Sequence, residues 1–346
     1  MMKGKMKAQM FYAPGDVRFE EIDIPQPNKN EILVKIKAAL TCGTDLKTYR
    51  RGHPSIIKSV PSTFGHEFSG EVVEVGAKVD HFQVGDRVVG ANSAPCFHCY
   101  FCKQKMYSLC ENLEFLNGAY SEYVVVPQQI VKYNYYKIPD SLSYQEAALV
   151  EPLACALHGI DRTPIKVGET VVVAGAGPIG LMFVKLATLK GARVISVDLS
   201  AYRLEQAKRF GALLTVNAGK ADLVKDVRER TELGKGADVV IEATGFPEVW
   251  EQAVKMARPG GLVNLFGGTK AGTTFNIDCQ KFHYTELTVK AVFHHTPYHV
   301  KKALELLATG QVDGKMFISG SYPLEKTIDA LESISRQEGI KYAILP

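Results

Sequence analysis

Three consecutive valines, Val171 to Val173, run into Gly175-Ala176-Gly177-Pro178-Ile179-Gly180. An unbroken β-branched run suits a strand buried on both faces, and such strands belong to parallel sheets covered by helices. A GxGxxG alone is a weak signal, because glycine turns are common. Directly after such a strand it reads as a dinucleotide-binding turn. Gly175 permits the tight turn, Gly177 lets backbone approach a pyrophosphate, and Gly180 lets helix and strand pack closely. Pro178 suits a first helical position, and Ile179, Met182, Phe183 and Leu186 recur at helical spacing before Gly191. The start of that helix supplies free N–H groups and a positive dipole end for phosphates.

The pattern continues downstream. Residues 192–197, 238–243, 262–266 and 287–293 read as strands and 202–210 as a helix. Strands alternating with helices predict a parallel, doubly wound sheet, an α/β fold. Asp198 ends the second strand, 18 residues past Gly180. A carboxylate there can accept from adenosine ribose hydroxyls and would repel a 2′-phosphate, so NAD is expected over NADP. Asp198-Leu199-Ser200 also reads as a helix entry. Arg203 either stacks on adenine or is a surface charge. Thr244-Gly245, Phe266-Gly267 and Val292-Phe293 follow strand ends, where ligands gather in such sheets, and are expected cofactor contacts.

Ahead of this region the texture differs. Short apolar runs at 32–38, 68–75, 86–90 and 120–126 are punctuated by Gly, Pro and Asp. Short strands with frequent turns predict an all-β module. Near the end, a helix is expected over 300–309, followed by a return to the first domain. With 346 residues the chain exceeds one comfortable core. Domains are expected over 1–153 and 154–296, with a C-terminal return over 297–346.

Of seven cysteines, four lie close together: Cys96, Cys99, Cys102 and Cys110. Four thiolates fill a tetrahedron and leave no place for a substrate, so a zinc there would be structural. It would pin a lobe that lacks its own core. The odd count, in a chain without a secretory signal, argues against a disulfide framework. The basic start lacks a signal's apolar stretch, and no apolar run approaches the roughly 18 residues of a membrane helix. A cytoplasmic protein with no membrane partner is expected. The net charge of +4, without a face-long basic run, disfavours nucleic acid as a partner.

A second metal-ligand set is dispersed: Cys42, His66, Glu67 and Glu151. One thiolate, one imidazole and one carboxylate make a neutral site with Zn²⁺ and leave a fourth position for water or an alcohol. Zinc there would act as a Lewis acid toward a hydroxyl, whose alkoxide readily expels hydride toward a nicotinamide.

Taken in order, Cys42-Gly43-Thr44-Asp45, Gly65-His66-Glu67, the cysteine quartet, Glu151-Pro152 and GAGPIG resemble the zinc-containing medium-chain dehydrogenase/reductase superfamily. Within it the chain is similar, over essentially its whole length, to the sorbitol (polyol) and threonine dehydrogenase branch. The resemblance implies a GroES-like N-terminal domain with a structural zinc lobe, a Rossmann domain, and an active site in the cleft between them. It makes Cys42 and His66 direct ligands, while Glu67 and Glu151 compete for the third place. With both carboxylates bound the site would carry a net −1 and be a poorer Lewis acid. One is therefore expected to bind directly and the other through water. Thr44 would take the substrate proton, and Asp45 would orient a ligand. Many relatives carry His where Lys47 stands; His53 is the nearest histidine, and cofactor ribose with water is another outer end for the relay. His294-His295 occupy the place of a typical Arg-Tyr pair, which suggests either a changed substrate or an interface loop.

The expectation is a zinc-dependent NAD oxidoreductase acting on a small secondary alcohol, a polyol or sugar derivative, with two zinc ions per chain. Threonine, 2,3-butanediol and simple secondary alcohols are alternative substrates. A zinc-ribbon nucleic-acid-binding protein is a remote alternative, and it would not need the GxGxxG with Asp198. The resemblance also implies a homotetramer.

Overall fold

The structure is a computed structural model that describes residues 2–53, 56–219 and 222–346. It divides into two compact units, Met1–Ala154 with His295–Pro346, and Cys155–His294.

In the second unit six parallel strands form one sheet. Their order is Leu214–Asn217, Arg193–Asp198, Thr170–Ala174, Ala237–Glu242, Ala257–Leu265, Thr288–Ala291. Val171, Val172 and Val173 are fully buried, as their unbroken apolar run requires. Val172, Ile195, Val197, Val216, Val240 and Val263 share one core. The order reverses beside Thr170–Ala174: earlier-paired strands run off one edge and later ones off the other. Such a reversal opens a crevice at the carboxyl ends of the strands, the usual ligand position in this fold. The strand at Leu214–Asn217 lies outside the expected set; it is four residues long and buries only Val216. The strand over Ala257–Leu265 starts earlier than the expected 262, because Arg258-Pro259-Gly260-Gly261 forms a bulge rather than a turn.

In the first unit a seven-stranded sheet is built around Ile32–Leu40. That strand pairs antiparallel with Phe68–Val75 and Tyr123–Val126, and at its end with Lys341–Leu345, where Ala343 opposes Leu40. Ile36, Phe64, Phe68, Tyr120, Leu331 and Ile344 belong to one core. The expected strand over 120–126 begins only at Tyr123. Ser121 Oγ donates within its own loop, to Gly118 O or Tyr123 O, and Tyr120 turns inward instead of joining the ladder. Among the described residues, no helix is long and apolar enough to cross a membrane.

Candidate functional site

Cys42 caps the helix Gly43–Arg51, and its Sγ accepts from Thr44 N at 3.4 Å. His66 and Glu67 lie just ahead of the strand Phe68–Val75. Gly65 precedes them at φ +91°, and a Cβ there would sit 2.7 Å from the Tyr120 ring, so the position needs glycine twice over. One ligand atom from each of Cys42, His66 and Glu67 lies within 4.8 Å of the other two. The His66 Nδ1 is 2.8 Å from Asp45 Oδ1, which leaves Nε2 as the ring nitrogen available to a metal. Asp45 Oδ2 in turn accepts from Tyr120 Oη at 2.8 Å. Burial opposes charge on His66, but Asp45 and Cys42 outweigh it and hold the imidazole well above its ordinary pKa.

Glu67 is fully buried. Its Oε2 accepts from Lys341 Nζ at 2.6 Å, while Oε1 is buried with no hydrogen-bond partner among the described residues. Burial pushes the Glu67 carboxyl up, and Lys341 and His66 pull against that. Burial would discharge Lys341; Glu67 and Cys42 instead hold its pKa above the usual lysine value. An orphaned carboxylate oxygen beside a thiol and an imidazole is a donor set suited to zinc. Glu151 takes a different place, in the first turn of the helix Val150–Asp161, with Oε1 3.9 Å from His295 Nε2. The same His295 nitrogen is 3.4 Å from Ser93 Oγ. Thr44 is half-buried, Lys47 is exposed, and His53 is half-buried with its pKa lowered by burial and by neighbouring Arg51, His66 and Lys47.

The other four-ligand set is compact. Cys96, Cys99, Cys102 and Cys110 are buried, with all four sulfurs within 4.8 Å of one another. Two sulfur pairs, Cys96 with Cys102 and Cys99 with Cys110, stand 4.0 Å apart. Four sulfurs each about 2.3 Å from a tetrahedral centre lie about 3.8 Å apart. The buried cluster here consists of the four cysteines with Phe101, Tyr107 and Leu113 packed on it. Burial opposes ionisation of Cys96, yet the N–H groups of His98 and Cys99 draw its thiol down to about 6. Burial and then hydrogen bonding with Cys99 and Cys110 push Cys102 up to about 12. Four thiolates this close need a cation, and the cluster fits a structural zinc.

In the second unit the glycine turn is built as tightly as its sequence demands. Gly175 has φ +99°, and a Cβ on Gly180 would lie 1.8 Å from Gly175 O. Gly177 caps the helix Pro178–Leu189, with Pro178 and Ile179 in its first turn and open space where a Gly177 Cβ would be. Asp198 ends the neighbouring strand; its Oδ2 accepts from Ala176 N at 2.7 Å and its Oδ1 from Ser200 N at 2.8 Å. The carboxylate therefore braces the glycine turn and holds Ser200, whose side chain caps the next helix by accepting from Arg203 N in its first turn. Across the switch point, Glu242 accepts from Thr244 N at 2.6 Å and Gly245 N at 3.0 Å, and from the Thr244 hydroxyl. A Cβ on Gly267 would lie 2.2 Å from Gly245 N, so these two loops touch through backbone. The Phe266 ring instead packs edge-on against Phe183. Val292 and Phe293 follow the edge strand, three strands from Thr170–Ala174; Val292 is buried, and exposed Phe293 stacks on His294.

Residues 28–140 match the alcohol dehydrogenase GroES-like domain, and residues 178–309 match the zinc-binding dehydrogenase domain. Across 99% of its length the chain is 34% identical to sorbitol dehydrogenase of Bacillus subtilis (strain 168), covering 97% of that protein. The chain belongs to the zinc-containing alcohol dehydrogenase family. Probable D-xylulose reductase A of Aspergillus clavatus is 35% identical over 95% of this chain and 93% of its own length. Among solved structures, a putative zinc-binding dehydrogenase from Sinorhizobium meliloti 1021 bound to NADP has a TM-score of 0.91 at 33% identity, covering 99% of this chain and 100% of that one. For a zinc-containing alcohol dehydrogenase, sequence reasoning left out three residues. Lys341 opens an apolar run, Tyr342 to Leu345, so a buried charge is at least suspect there. Tyr120 heads the segment 120–126, which reads as strand. Glu242 closes its strand with a carboxylate, much as Asp198 does.

Proposed function

We propose that this dehydrogenase transfers hydride between NAD and a secondary alcohol, a polyol or sugar derivative. The observation that carries this is Glu67 Oε1, buried beside Cys42 and His66 with no hydrogen-bond partner among the described residues. Cys42, His66 and Glu67 would hold a zinc there, which supplies Lewis acidity toward an alcohol oxygen. Glu151, turned to His295, is the carboxylate we assign the indirect role. Asp45 fixes the His66 ring, and Tyr120 fixes Asp45. Thr44 takes the hydroxyl proton at Oγ1; a neutral hydroxyl relays a proton without storing it.

Gly175, Gly177 and Gly180 let the turn accept a pyrophosphate at the helix N-terminus. Asp198 supports NAD over NADP: a carboxylate at that strand end suits free ribose hydroxyls and repels a phosphate. The polyol class is supported by the sorbitol and xylulose enzymes to which the chain is similar. We further infer two zinc ions per chain and a homotetramer, checked by metal analysis and light scattering.

The test is NADH formation by zinc-loaded enzyme on a panel of polyols, sugar acids, diols and threonine, repeated with NADP. We expect the highest kcat/KM with NAD and a polyol. No nucleotide reduction with any alcohol ends the proposal, and a higher efficiency with NADP ends its cofactor assignment. Asp198→Ala should narrow the NAD preference.

A further inference from the structure

One buried cation has no part in the chemistry above. Lys341 Nζ lies 2.6 Å from Glu67 Oε2 and 2.7 Å from Thr41 O, and the two side chains are 1% and 0% exposed. Lysine is almost never buried this fully unless paired. Its position is fixed by backbone as well as by charge. Thr41 N donates to Tyr342 O at 3.0 Å, and Tyr342 N donates to Thr41 Oγ1 at 2.9 Å. The C-terminal strand is thereby held against the residue that precedes Cys42. The oxygen that Lys341 does not touch, Oε1, lies beside Cys42 and His66 and has no hydrogen-bond partner among the described residues. One carboxylate oxygen is clamped and the other is presented.

Charge gives the clamp a second consequence. A Cys42 thiolate and a Glu67 carboxylate cancel a divalent ion, +2 −1 −1 = 0. Lys341 adds +1 to that neutral set of metal, Cys42 and Glu67, while Asp45 is paired with His66 one layer further out. A carboxylate ligand thus holds the metal without removing all its pull on an incoming oxygen.

We propose that Lys341 is a positioning residue of the metal site. It turns Glu67 Oε1 toward Cys42 and His66, and it adds one positive charge beside the metal and its ligands. This rests on the zinc reading of that site, and the experiment separates the two.

Anion affinity reads the charge without turnover. Azide is titrated into enzyme carrying Co²⁺ at the Cys42–His66–Glu67 site and zinc at the quartet, and the visible Co²⁺ absorption is followed. Lys341→Met should raise the azide dissociation constant at least about tenfold, because a unit charge a few ångströms away is lost. Lys341→Arg keeps the charge and should stay within about threefold of wild type. The double variant Glu67→Gln/Lys341→Met removes both charges, leaves no lone buried carboxylate, and should return azide binding to the wild-type range. If Lys341→Met does not fold, Glu67→Gln alone should bind azide at least about tenfold more tightly than the double variant. A folded Lys341→Met with wild-type azide affinity, or a double variant no different from Glu67→Gln, overturns the proposal. Wild-type enzyme that takes up no Co²⁺ at this site overturns the zinc reading instead.

Discussion

The two ligand sets of this dehydrogenase are assembled in opposite ways. The quartet draws every ligand from one short run of chain, and the donors to its sulfurs are amides of that same run. Cys96 N donates to Cys110 Sγ, Cys99 N to Cys96 Sγ, and Asn112 N to Cys110 Sγ. The trio of Cys42, His66 and Glu67 is gathered from a helix cap and a strand entrance, and each support comes from elsewhere. Asp45 holds His66, Tyr120 holds Asp45, and Lys341 holds Glu67 from 274 residues away. A local, closed set can be completed by metal with little help from the rest of the fold. A non-local, three-ligand set exists only when the sheet has formed, and it keeps a coordination position open. The first should therefore govern stability and the second reactivity.

The largest effect expected from this contrast is on the quartet. Structural zinc contributes apparent binding energies of about 10 kcal/mol or more to small domains. Cys102→Ser should lose one zinc per chain and lower the melting midpoint of its unit by roughly 10 °C or more. Calorimetry with metal analysis checks this. Unchanged zinc content and midpoint would show that the quartet is not a metal site.

Cys42→Ser should do the reverse. We expect kcat/KM to fall about a thousandfold, equivalent to roughly 4 kcal/mol of transition-state stabilisation. The melting midpoint should move by no more than about 3 °C, because Cys42 is only half-buried and no core cavity opens. If Cys42→Ser costs as much midpoint as Cys102→Ser, the division of labour between the two sets fails.

The same contrast decides what the amino-acid order reveals. Cys96, Cys99, Cys102 and Cys110 are adjacent enough for spacing alone to announce a tetrahedron. The glycine turn is equally local: strand, GAGPIG and helix follow one another, and the close approach of Gly180 to Gly175 O is internal to the motif. Cys42, His66 and Glu67 are individually ordinary, and only family order singles them out. Lys341 at the head of an apolar run hints at a buried charge, but its partner is not legible, because it is set by strand pairing between residues 341–345 and residues 39–41. Strand edges depart from the pattern where side chains override it. Tyr120 leaves the ladder to brace Asp45, and Ser121 hydrogen-bonds within its own loop. A proposed relay ending at Lys47 or His53 stays outside the sequence's reach for the same reason, since surface and half-buried positions on one helix and its exit look alike in one dimension.

Thr44 sharpens the contrast within the trio's own neighbourhood. Its amide serves Cys42 Sγ, so the backbone has a structural duty that a substitution keeps. Its hydroxyl is the proposed proton acceptor. Thr44→Ala should lower kcat by about 10²-fold, within the usual range for general acid–base groups, with both zinc ions retained. Thr44→Ser should keep most of the activity. Full turnover in Thr44→Ala, measured under substrate saturation, would remove the hydroxyl from the mechanism.

The smallest effect tests support rather than ligation. Asp45 accepts from the Tyr120 hydroxyl and faces His66 Nδ1 with its other oxygen, 2.8 Å away. Asp45→Asn keeps the shape and one acceptor but removes the charge. The amide also places a donor where a carboxylate had none. Partners of metal-bound histidines typically change metal affinity by about 10- to 100-fold when mutated. We expect about a tenfold loss at the trio in competition with a chelator, because the His66 ring keeps its orientation and loses only the carboxylate's pull. The quartet, whose sulfurs are served by its own amides, should hold its zinc at wild-type affinity. Equal weakening at both sites would mean that Asp45 acts on the whole unit's stability, and no weakening at the trio would mean that His66 needs no outside hand.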